Sequence, residues 1–178
     1  MIHQVIQAFL NEWTRADTVR LLVELAPLFL PIALWGTVPP LRKRGEALLV
    51  LFGIFTAFHA LFSAYALVFG WPVTAARLSW PASPFVIKLG FSHAAFGTGL
   101  LICLVLRKAE WTKGLLVAMC LYAAASSVIH LLEAFGRGRF DMGHLGPPVM
   151  HDILFVFLAF WVIRRAQEPG RAIYYVPH

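Results

Sequence analysis

Four polar side chains recur along one apolar stretch of the chain: Tyr122, Ser126, His130 and Glu133. Read as a helix, their spacings of four, four and three put them in a single stripe. The surrounding residues are mostly Leu, Val, Met, Cys and Ala. A polar stripe on such a helix must face protein or water, because hydrocarbon offers its groups no partners. Other ionisable residues stand inside or beside apolar stretches: Glu24, His59, His93, His151 and Asp152. Imidazoles with carboxylates are the ligand set of Zn, Fe, Cu or Ni, and a carboxylate can also orient a ligating imidazole. His130 and Glu133, three apart on one face, have the spacing of metal-binding pairs in helical bundles. The expected metal set is therefore His93, His130, Glu133, His151 and Asp152. A metal-activated water would be the nucleophile in a hydrolytic reaction, and redox chemistry or metal handling are the other outcomes. No HExxH or CxxC framework is present, and no residue is assigned a catalytic role.

Each group also has a plainer reading. His130 with Glu133 can be a buried hydrogen-bonded pair. His93 can bond a carbonyl across a tight helix crossing. His151 and Asp152 can be the first turn of a helix, where Asp favours the positive end of the dipole. His59, near Thr56 and Ser63, can be a satisfied core histidine, a haem ligand or a member of a proton relay. His144 reads as a loop residue. The same groups without a metal can bind a lipid, a quinone or another small amphipathic ligand. A stripe of this kind can also contact a partner in a larger membrane complex or a second copy of the chain.

The elements that must position these residues follow from composition. The chain has 178 residues, 60% hydrophobic and 13% charged, with mean hydropathy +0.73. A soluble domain carries about 25% charged residues, so the sequence reads as an integral membrane protein of one domain. Five apolar segments, at about 19–38, 47–69, 85–106, 114–135 and 147–163, suffice to cross ~30 Å of hydrocarbon. Pro39-Pro40, Gly70-Trp71-Pro72, Ser83-Pro84 and Pro147-Pro148 punctuate them. The expected fold is all-α, a five-span membrane bundle. Ile2 to Trp13 add a short amphipathic helix in the interface, with no cleavage site of a secretory signal. Pro27 and Pro31 predict a kink in the first span, where Glu24, Pro27 or Leu28, Pro31 and Trp35 share a face that either turns Glu24 inward or leaves its carboxylate reaching the headgroups. Gly90, His93 and Gly97 share a face that lets a neighbouring backbone approach. Cys103 and Cys120 read as buried small hydrophobes.

Five spans put the termini on opposite sides. The end with the C-terminus collects nine basic residues against three acidic, and the other end six against six. Basic residues in short loops favour the cytoplasm. The expectation is a multi-pass protein of the bacterial inner membrane, N-terminus outside and C-terminus cytoplasmic. Glu24, His93, His130, Glu133, His151 and Asp152 then share a layer within ~12 Å of the outer, periplasmic surface, and His59 sits about ~15 Å deep. Nucleic-acid binding is excluded, since the basic residues flank membrane segments without an aromatic soluble surface. Walker and dinucleotide glycine motifs are absent.

Ser83-Pro84-Phe85 opening a helix, the small residues of Gly90 to Gly99, the helix carrying His130, and Asp152-Ile153-Leu154 opening the last span form a recognisable pattern. Over residues 83–163 the chain resembles a family of small bacterial multi-pass membrane proteins with no assigned function. The family pattern has an acid near Lys88 and an Asn near His93, and this chain differs at both. The resemblance points to His130 and Asp152 as positions of interest and implies no activity.

Overall fold

The computed structural model describes residues 15–42, 45–77, 83–138 and 146–167. The amphipathic helix expected over Ile2 to Trp13, the loop residue His144 and the C-terminal tail lie outside them. Five long helices follow the five apolar segments. They are α1 (Arg15–Thr37), α3 (Gly45–Phe69), α5 (Pro84–Val105), α6 (Ala109–Arg137) and α7 (Pro147–Ala166). Two short helices, α2 (Pro39–Arg42) and α4 (Trp71–Arg77), lie between them. No strand occurs among the described residues. Four helices, α1, α3, α5 and α6, are long and apolar enough to cross a membrane. The fifth, α7, has 20 residues and carries His151 and Asp152 near its start and Arg164 and Arg165 in its last turn.

Helix ends sit where backbone chemistry demands them. Pro84 and Pro147 open α5 and α7, where a missing N–H is harmless. Gly138, at φ 68°, ends α6 in the left-handed conformation that glycine adopts without penalty. Pro27 and Pro31 both lie inside α1, which continues through them from Arg15 to Thr37.

Helix α3 is the centre of the bundle and packs against α1, α5 and α7. Its closest partner is α5, for the reason the glycines suggest. A Cβ at Gly90 would sit 2.7 Å from Val68 Cγ2, and one at Gly97 would sit 2.9 Å from the Ala57 carbonyl oxygen. Both glycines therefore seat directly on α3. Helix α7 packs on α6, α3 and α1. The interior away from the polar residues is dry. Leu28, Leu48, Leu49, Phe52, Leu100, Leu116 and Val162 are almost wholly buried in it. Outward faces expose Phe58, Phe62, Leu121, Val128, Leu132 and Phe157, the surface that membrane lipid would cover.

Candidate functional site

Helix α1 turns one face into the bundle. Leu28, Pro31 and Trp35 are buried along it. Glu24, one turn earlier, continues that face, so its carboxylate meets α3. Glu24 Oε2 stands 3.6 Å from His59 Nε2, and Arg20, four residues back, stands 3.9 Å from Oε1. Helix α7 approaches from the other side. The His59 and His151 rings stack with centroids 4.5 Å apart and planes 29° from parallel. His151 Nδ1 lies 3.4 Å from Asp152 Oδ1. The line Glu24, His59, His151, Asp152 thus joins three mutually packed helices.

Aromatic rings carry this line into the apolar core. His151 stacks on Phe155, one turn further along α7, at 6.1 Å and 10°. Phe155 stacks on Phe52 of α3 at 6.0 Å and 13°. The spacing explains the series: Phe52 and His59 are two turns apart on α3, His151 and Phe155 one turn apart on α7. Beside the line, His93 of α5 meets the edge of Tyr122 of α6, with centroids 5.8 Å apart.

The α6 stripe faces inward as its spacing requires. Tyr122, Ser126 and Glu133 are half-buried and His130 is buried, while Leu121, Val128, Ile129 and Leu132 beside them are exposed. Among the described residues, Thr56 Oγ1 and Ser127 Oγ are buried with no hydrogen-bond partner. Each sits three residues before a histidine, His59 and His130 respectively. Orphaned hydroxyls of this kind are where an ordered water completes a polar network.

The metal centre expected from His93, His130, Glu133, His151 and Asp152 gains no support from this geometry. Among the described residues no three His, Cys, Asp or Glu side chains are placed to hold a metal ion. The two rings that do meet, those of His59 and His151, are oriented unfavourably for a shared metal. An imidazole ligates through a lone pair in its own plane, and ligands must aim theirs at one point. Two rings lying face to face direct those lone pairs side by side instead. The imidazole against His151 is that of His59, which sequence reading set apart from the main layer. Arg20 and Phe155 were not singled out at all, although both show the four-residue helical spacing to Glu24 and His151.

Fold and site together define a polytopic α-helical membrane protein with a half-buried line of imidazoles and carboxylates near one end of its bundle. Within that class the chain belongs to DUF6790, a family of unknown function, which it matches over residues 18–172. The match is wider than the resemblance drawn from residues 83–163, and it takes in Glu24 and His59. No characterised protein and no solved structure matches the chain.

Proposed function

We propose that this protein binds and exchanges protons at the Glu24–His59–His151–Asp152 line, from one side of the membrane. The observation that carries the reading is the imidazole pair, stacked at 4.5 Å with a carboxylate next to each ring. Two imidazolium charges at that distance would repel by about 4 kcal/mol at an effective dielectric of about 20, so the pair holds at most one proton. With one proton bound, the two cations (Arg20 and the imidazolium) balance Glu24 and Asp152. A neutral set is the state a low-dielectric site favours. Gain or loss of one proton breaks that balance, so protonation is coupled across all four groups. Ionisable groups within a membrane cost ~2.5–3.5 kcal/mol each on insertion scales and are functional candidates for that reason.

The dry core around Leu48, Phe52, Leu100 and Leu116 supports one-sided access rather than a path through the membrane. The bias of basic residues toward the other end supports an orientation with the site on the extracytoplasmic side. A small ligand whose own proton is exchanged at the site fits the same reading.

The test is infrared difference spectroscopy across a pH step, with the protein in bilayers. The wild-type chain should show imidazole bands changing with uptake of one proton. The double variant His59→Phe/His151→Phe keeps two stacked rings and removes both imidazoles. In it the proton should move to a carboxyl group, and a carboxylic-acid carbonyl band should replace the imidazole bands. Identical spectra for the two proteins would sink the proposal.

A further inference from the structure

The opposite end of the bundle carries a different feature. Helix α5 ends in a turn where Lys108 N donates to the Cys103 carbonyl at 2.9 Å and Arg107 N to the Leu104 carbonyl at 3.1 Å. These are the two bonds of a Schellman motif, whose left-handed position ordinarily holds glycine. Here it holds Arg107, at φ 52°. Among the described residues Arg107 is the one non-glycine residue with positive φ, so the chain tolerates strain to keep this side chain.

Arg107 and Lys108 line a cleft together with Glu46, Leu49 and Val50 of α3 and Leu104 of α5. Among the described residues neither Arg107 nor Lys108 makes an ion pair, whereas the neighbouring Lys113 is held by Glu110 at 2.6 Å. Glu46 is engaged in an interaction of its own. Trp111, in the first turn of α6, is exposed, as tryptophans at headgroup depth are. Arg164 and Arg165 close α7 at the same end. The cleft therefore sets two exposed cations beside the half-buried aliphatic side chains of Val50 and Leu104.

We propose that this cleft is a binding site for an anionic phospholipid, its phosphate held by Arg107 and Lys108 and an acyl chain lying along Val50 and Leu104. A guanidinium pairs with phosphate oxygens bidentately and the lysine adds a second charge. A zwitterionic lipid has the same apolar fit and lacks the net negative charge. The site is independent of the proton-exchanging line at the other end.

Native mass spectrometry on the full chain, released from micelles containing phosphatidylglycerol or phosphatidylcholine, tests it. Two basic contacts predict retention of phosphatidylglycerol at a concentration roughly 30-fold lower than for phosphatidylcholine. Arg107→Gly/Lys108→Gln should reduce that preference to about threefold or less. The glycine suits the left-handed turn, so the unfolding temperature in phosphatidylcholine should equal or exceed that of the wild type. Arg107→Asn, which the same conformation also accepts, gives an independent fold-compatible variant with a partial loss. Lys88→Gln, at the far end of α5, should retain the full preference. The inference is overturned if the wild type shows no preference, if the Arg107→Gly/Lys108→Gln protein keeps it, or if millimolar inorganic phosphate alone displaces the lipid.

Discussion

Removing the Glu24 charge tests the first link of the imidazole–carboxylate line. In Glu24→Gln the amide keeps the shape of the side chain and loses its charge. At 3.6 Å and an effective dielectric of about 20, the Coulomb attraction of a unit pair approaches about 5 kcal/mol. That is an upper bound. The carboxylate is 26% exposed and the imidazole 17%, so water screens the pair, and the cost of desolvating both partners offsets part of the rest. A net coupling of about 1–2 kcal/mol remains. The assay is a double-mutant cycle with Glu24→Gln, His59→Gln and the double variant, read by reversible unfolding in mixed micelles. Each single change should destabilise by about 2 kcal/mol, since it leaves a buried partner unpaired. The double variant should then fall short of the sum by the coupling energy. A coupling below about 0.5 kcal/mol, the ordinary error of additivity, would show that the two groups do not act on each other and would remove Glu24 from the line.

Further tests address the rest of the molecule. Gly97→Ala should destabilise by about 1–3 kcal/mol, because its Cβ meets the Ala57 carbonyl and cannot be accommodated by a side-chain shift. Gly36→Ala, with open space at its Cβ, should be neutral or stabilising by up to about 1 kcal/mol, and thermal unfolding of both variants checks the contrast. Metal analysis of the purified chain should find clearly substoichiometric Zn, Fe, Cu and Ni, unchanged in His130→Ala and His151→Ala. Stoichiometric metal lost in either variant would restore the metal centre. In liposomes loaded with a pH dye, proton leak should match that of protein-free vesicles, and a sustained flux would contradict the one-sided site.

Much of the fold was legible in the residue order. Apolar runs between Pro39-Pro40, Gly70-Trp71-Pro72, Pro84 and Pro147 set the five long helices, because a membrane segment must satisfy its own backbone hydrogen bonds. The inward face of α6 followed from the periodicity of Tyr122, Ser126, His130 and Glu133, whereas periodicity left Pro27 or Leu28 and the direction of Glu24 open on α1. The seating of α5 on α3 followed from Gly90 and Gly97. These features depend on one helix at a time, or on the absence of a side chain, and sequence spacing reports both.

Tertiary structure alone decided which imidazole meets which. Counting residues from the membrane surface assumes upright helices, and on that count His59 lay below the layer of His151. The packing of α3 against α1 and α7 brings His59 between Glu24 and His151 instead. Ring orientation is further still from sequence, since it depends on side-chain rotation within the packed bundle. That rotation separates a face-to-face imidazole pair from the converging lone pairs of a metal site, and the residue order distinguishes neither.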